Sequence, residues 1–143
     1  MEKTSFTQQV RRNSLALLSL CVALSALFYN TWRNEATERN RNIRVAEFEM
    51  LKSLGELQQI IDYAHFRRDP QRGDLTQGLG RVLQIHDLAT LTPKPVQDAA
   101  EGLLTAWRKH DEKLATDLEA AGLISEEILH TRRTVLTSLR SLK

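Results

Sequence analysis

NSLALLSLCVALSALFYNTW, residues Asn13 to Trp32, decides the architecture of this chain. The twenty residues include no Asp, Glu, Lys or Arg, while Arg11 and Arg12 stand just before them and Arg33 just after. Twenty residues of α-helix rise about 30 Å, the hydrocarbon thickness of a bilayer. The stretch reads as one transmembrane helix. A cleaved signal peptide fits less well. Ala23 and Ser25 have the size a cleavage site needs, but Leu27, Phe28 and Tyr29 carry the apolar run past them. Acylation of Cys21 fits poorly too, because Leu20 precedes it and apolar residues follow. Tyr29 and Trp32 are amphipathic rings of the kind that settle at a membrane–water interface. The expectation is an uncleaved signal anchor.

Charge on either side sets the expected orientation. Three of the 20 Lys/Arg and one of the 18 Asp/Glu lie in residues 1–32, so the remaining 111 residues carry 17 of each. The net charge of +2 belongs to the N-terminal tail. Arg33, Arg39, Arg41 and Arg44 on the far side weaken this asymmetry. The balance favours a cytoplasmic tail (residues 1–12), a membrane span (13–32) and an extracytoplasmic remainder. In a bacterial envelope that is an inner-membrane protein with a periplasmic domain.

Within the span, Ala16, Ser19, Ala23, Ala26 and Asn30 recur at intervals of three and four. Small side chains on one face let helices approach closely in lipid, and an Asn can hydrogen-bond across the contact. This face is the expected seam of helix association.

The remainder has the size of one ordinary domain. Leu, Ala, Glu and Arg are plentiful, aromatics make up 6%, and three Pro and six Gly fall mostly between periodic segments, a composition that points to an all-α fold. Formal neutrality after the anchor argues against nucleic acid, which requires a concentrated basic face. The single Cys lies in the apolar span, so one chain holds neither a disulfide framework nor a Cys-based metal site.

Residues 33–42 (RNEATERNRN) are polar and read as a stalk, helical if the membrane helix continues through it and a linker otherwise. The bundle is expected over 43–143. Its first helix starts at Ile43, with a coiled-coil-like seam of Met50, Leu54, Leu57, Ile61 and Ala64, widened by Leu51 and Ile60. Arg67 and Arg68 suit the negative end of the helix dipole, and Asp69-Pro70 stops the helix. Asp74 and Gln77 form a capping-box pair for the second helix, whose stripe is Leu75, Leu79, Val82 and His86. Thr92 with Pro93 and Pro95 opens the third helix. Its seam of Ala100, Leu103, Trp107, His110, Leu114 and Leu118 runs to about Ala121, with Gly122 as the residue past its end and Leu123 against Leu118. Ser125 caps a fourth helix that carries Ile128, Val135, Leu139 and Leu142. Short breaks between amphipathic helices favour antiparallel neighbours. The expected fold is all-α: a single N-terminal transmembrane helix followed by an antiparallel, up-down-up-down four-helix bundle.

Chemistry-bearing patterns are sparse. His65, His86, His110 and His130 fall one to a helix, and helical rise places His65, His110 and His130 at similar height in a simple bundle. No HxxxH or ExxH pair adds to them, and zinc requires three or four converging ligands. No metal and no cofactor is expected. His86-Asp87-Leu88 lacks the Lys and Gly that would follow in a phosphorelay histidine motif; Ala89 and Thr90 stand there. Arg72-Gly73-Asp74 matches an adhesion tripeptide but reads more simply as a turn glycine before a capping Asp. No GxSxG elbow, phosphate loop or soluble Cys supports catalysis, so no catalytic residue is assigned. Tyr63 and Trp107 are large and partly polar; Trp107 falls in the third helix's seam and reads as core, while Tyr63, beside the first helix's seam, could line a shallow cleft.

The layout, and only the layout, resembles the membrane-anchored four-helix sensor modules of bacterial chemoreceptors and sensor kinases. Those modules return through a second span to a signalling domain, and no second apolar segment is present in this sequence. The resemblance implies a fold class and assigns no function. The expected function is that of a non-enzymatic, single-pass membrane protein. Its partners are the bilayer and either another envelope protein or a second copy, engaged through the Ala16–Asn30 face and the Met50–Ala64 seam as scaffold or regulator. The alternative is a small-ligand sensor with a pocket near Tyr63, His86 or Trp107, signalling through a partner.

Overall fold

The computed structural model describes residues 13–142. The reading of residues 1–12 as a cytoplasmic tail lies outside them. Four α-helices account for most of the described chain, and no strand occurs among the described residues. They are α1 (Ser14–Asp62), α2 (Leu75–Ala89), α3 (Lys94–His110) and α4 (Leu118–Ser141). A π-helical turn, Tyr63–Arg67, extends α1, and a 3-10 turn, Asp111–Lys113, follows α3. The polar residues 33–42 are helical, with the Thr37 hydroxyl donating to the Arg33 carbonyl at 2.9 Å.

The chain divides into two compact units between Arg39 and Asn40. In the first, the described residues form helix from Ser14 on, and every side chain from 13 to 39 is exposed. The second contains the hydrophobic core. Met50, Leu54, Leu57 and Ile61 of α1 meet Val82 and Ile85 of α2, Val96, Leu103 and Trp107 of α3, and Ile124, Ile128 and Val135 of α4. Each such side chain contributes about 1.5–3 kcal/mol when fully buried. The polar contacts follow the same neighbours. Glu56 pairs with Arg81 at 2.9 Å, and His86 with Glu101 at 2.9 Å. Thr131 donates to the Ala99 carbonyl at 3.1 Å, and Gln58 donates to the Ser125 hydroxyl at 3.3 Å. Arg44 donates to the Leu142 carbonyl at 3.0 Å.

Three element ends differ from the sequence reading. The third helix stops at His110 rather than Ala121. Asp117, with extended backbone, accepts from the Glu119 N–H at 2.9 Å and starts α4 eight residues before Ser125. Asp is a strong N-cap, and Leu118-Glu119-Ala120-Ala121 are good helix formers that carry the helix through Gly122. Gly122 therefore caps nothing, and no described glycine has positive φ. Leu114 stays in the core from the intervening turn, whereas Leu118 is 64% exposed and leaves the proposed seam. At the start of α3, Pro93 occupies the cap position; Thr92 instead donates its hydroxyl to the Ala89 carbonyl at 2.7 Å and accepts at its own carbonyl from Gln97.

The end of α1 falls at the stop expected from Asp69-Pro70, but through a π-helical turn. Beyond the π-helical turn, Arg68 sits in the left-handed region at φ 50°, and the Arg68 and Asp69 N–H groups both reach back to the Tyr63 carbonyl. The chain must turn here because Asp69 precedes proline and is excluded from helical backbone. Gly73 completes the turn. A Cβ at Gly73 would fall 2.4 Å from the Ala64 nitrogen, so only glycine lets the two backbones lie this close. The α2 start agrees with expectation in its Asp74 cap, whose carboxylate accepts from the Thr76 N–H at 2.8 Å, while the Gln77 amide donates to the same carboxylate at 3.5 Å in place of the reciprocal bond of a capping box. That backbone N–H, first among several causes, lowers the Asp74 pKa.

Candidate functional site

The first candidate is the apolar half of α1. It is the one helix among the described residues long and apolar enough to cross a membrane, and none of its apolar window is buried within the chain. Leu15, Leu18, Val22, Leu27 and Phe28 are all largely exposed, Phe28 to 73%. A core helix of a soluble protein would bury such a stripe against its own chain. Here the apolar surface has no cover among the described residues, and exposed area on this scale marks a surface for lipid or another protein. Tyr29 and Trp32 tilt against each other with ring centroids 6.4 Å apart. Ala16, Ser19, Ala23, Ala26 and Asn30 are all exposed in this helix. Cys21, also exposed, is two residues from Ala23 and so faces the other side of the helix.

The second candidate, the seam on the other half of α1, lies inside the protein. Met50, Leu54, Leu57 and Ile61 have no exposed surface, and Ala64 is 7% exposed. These side chains meet α2, α3 and α4 of the same chain. They belong to the hydrophobic core of the second unit, the first of the two roles expected for this seam.

The histidines do not converge. Among the described residues no group of three or more His, Cys, Asp or Glu is placed to hold a metal ion. His65 Nδ1 lies 2.9 Å from the Leu114 carbonyl and, as its donor, ties the π-helical turn to the α3–α4 connection. His86 is taken by Glu101 and Asp87. A cleft of about 180 Å³ lies beside it, lined also by Lys94 and Asp98, which pair with each other. Trp107 is wholly buried against Gly78, where a Cβ would lie 2.3 Å from its ring, and it borders no cleft described here. Tyr63 is covered by Arg72, whose guanidinium carbon sits 5.3 Å from the ring centroid. Gly73 and Asp74 of the adhesion-like tripeptide serve the turn and the cap. A further cleft of about 620 Å³ lies at that turn, between Arg68, Gly73 and Thr116.

One group escaped the sequence reading. Glu47 is completely buried in the second unit, and neither carboxylate oxygen has a hydrogen-bond partner. Burial pushes its pKa up, and the neighbouring Ser138 hydroxyl offsets part of the rise. Ser138 Oγ also lacks a partner at bonding geometry. Ser138 in turn lines a cleft of about 360 Å³ between the start of α3 and the last turns of α4. The sequence held a signal for this. Glu47 lies between Ile43, Ala46 and Met50 on the apolar side of α1, where a charged residue is out of place.

No protein-family model, no curated protein and no solved structure matches this chain.

Proposed function

We propose that this chain is a non-enzymatic, single-pass membrane protein. Its second unit is a helical interaction or regulatory module held at the surface of a bacterial inner membrane. The observation that carries the proposal is the apolar window of α1, long enough to span and uncovered by its own chain. The charge asymmetry supports a cytoplasmic N-terminal tail and a periplasmic helical unit. Residues 43–143 form an antiparallel, up-down-up-down bundle. Three helix pairs support this reading, since the contacts within each run in opposite sequence directions: Gly78 with Trp107 and His86 with Glu101, Ala99 with Thr131 and Gly102 with Glu127, Arg44 with Leu142 and Gln58 with Ser125.

With the Met50–Ala64 seam committed to the core, association rests on the Ala16–Asn30 face. A second copy, or another envelope protein with a similar face, packs there, and anchoring in a common membrane raises its effective concentration. Cysteine cross-linking in membranes tests this. In a Cys21→Ser background, Ala23→Cys should give a cross-linked species, while native Cys21, on the opposite side of the helix, should not. Equal cross-linking from both positions, or none from Ala23→Cys, counts against the face.

A further inference from the structure

Among the described residues Glu47 is the one buried charged side chain, and its two oxygens, like the Ser138 hydroxyl oxygen beside them, are closed to solvent and lack a hydrogen-bond partner. The segment that contributes Ser138 is weakly held. It is the last two turns of α4, residues 136–142, and Val135 is the last side chain of that helix to be buried. Leu139 and Leu142 are only partly covered. Toward α3, a cleft of about 360 Å³ lies between these turns and Pro93, Pro95 and Val96. Toward α1, the Arg44 bond to the Leu142 carbonyl is exposed. Segments with few buried contacts open at a smaller cost than the fold as a whole.

No cation bonds to the carboxylate among the described residues. On α1, Arg44 is engaged by the Leu142 carbonyl and Lys52 pairs with Glu49 at 3.9 Å. On α2, Arg81 pairs with Glu56 and His86 with Glu101, and on α3 Lys94 pairs with Asp98. On α4, Arg132, Arg133 and Arg140 make no bond to Glu47. An ionised carboxylate buried without a partner is costly. The carboxyl therefore stays neutral, with its proton available to the Ser138 oxygen, or it ionises and takes up water.

We propose that Glu47 is the latch of a pH-driven opening: with its carboxyl neutral, the last two turns of α4 close over it, and when it ionises those turns lift from α1 and let water reach the carboxylate. Neither oxygen meets solvent or a bonded base in the closed form, so loss of the proton and opening go together. Once in water the carboxyl titrates at its ordinary value of 4.5, whereas burial holds it higher in the closed form. Between those values the open form has lost a proton that the closed form keeps, so each pH unit raises the open fraction about tenfold. The latch lies wholly within the second unit and does not depend on the membrane reading, so failure of either leaves the other standing.

Hydrogen–deuterium exchange of the full-length chain in detergent micelles tests the latch, read by mass spectrometry between pH 4.5 and pH 8 and corrected for intrinsic base catalysis. Protection of residues 136–142 should fall at least about fivefold over that range, while residues 57–61 of α1 and 100–107 of α3 keep theirs. Glu47→Gln keeps the side-chain shape and cannot ionise, so its protection at 136–142 should not change with pH. Ser138→Ala should lower protection at the acid end and leave the pH dependence in place. The wild-type profile tests the latch by itself, whatever the stability of the variants. Flat protection at 136–142 in the wild type overturns the proposal. So does a pH dependence that persists in Glu47→Gln, or a loss of protection shared by the whole second unit.

Discussion

Gly78→Ala and Gly80→Ala, two residues apart on α2, should shift stability in opposite directions. In an exposed helix interior, alanine is more favourable than glycine by about 1 kcal/mol. At Gly80 nothing lies within 4 Å of the added Cβ, so most of that gain should appear. At Gly78 the Cβ would meet Trp107 Cη2 at 2.3 Å and Cζ2 at 2.8 Å. Carbon atoms rest at about 3.5–4.0 Å, so the overlap exceeds roughly 1 Å. The ring cannot retreat, because Trp107 is wholly buried in the common core. Overpacking of this kind costs about 1–3 kcal/mol, and two ring carbons place it in the upper part of that range. After the helix gain, a net loss of roughly 1–2 kcal/mol remains. For a domain of this size each kcal/mol moves the thermal midpoint by about 4–8 °C. Near-UV circular dichroism of the full-length chain in micelles is the suitable assay, since it follows packed aromatic rings rather than the exposed apolar half of α1. Trp107→Leu in the Gly78→Ala background separates the clash from other effects: with the ring gone, Gly78→Ala should become neutral or favourable. A Gly78→Ala midpoint equal to or above the wild type would refute the packing of α2 on α3.

The other predictions address the remaining findings. Glu47→Met should stabilise the protein at neutral pH by roughly 1–3 kcal/mol, because it removes a buried carboxylate without a partner. The folded pKa of Glu47 is raised above 4.5, so the wild type recovers stability on acidification, fully below pH 4.5, and loses it as pH rises through the folded value; the advantage of Glu47→Met in urea titrations should shrink accordingly toward pH 4. Asp74 has the opposite sign: its lowered pKa supports the fold above pH 3.8 and that support is lost on acidification, so Asp74→Asn should flatten the acid limb of the stability curve. Asp117→Ala should cost about 1 kcal/mol as the loss of an N-cap, while Ser125→Ala, inside the helix, should cost less than about 0.5 kcal/mol, measured by chemical denaturation. Arg68→Gly should stabilise by up to about 1 kcal/mol, since the left-handed backbone strains an L side chain by about 1–2 kcal/mol and glycine gives back part of that as chain entropy.

The periodic features of this sequence carried most of the fold. The three-four spacing of Met50 through Ala64 identified the buried face of α1, and the uncharged run from Asn13 to Trp32 stood out from the alternating charges around it. Helix boundaries depended on competition among caps, and there the sequence was ambiguous. Gly122 and Ser125 look like an end and a start, yet Asp117 lies earlier and is followed by four residues that favour helix. The π-helical turn had no local signature. It follows from Asp69-Pro70 and from the close approach of Gly73 to Ala64, a contact between residues nine apart that no helical pattern encodes. The burial of Glu47 without a partner was missed for a related reason. A charge on an apolar face is visible in the pattern, but Ser138 comes beside it only through the packing of α4 on α1.

As proposed, the bilayer covers the exposed apolar residues of α1. Mass spectrometry of membranes washed with alkaline carbonate measures this directly. Peptides from residues 13–32 should be recovered in the pellet, joined to the helical unit in one polypeptide. Recovery of that unit in the supernatant, or of a mature chain that starts beyond Ser25, would contradict the account.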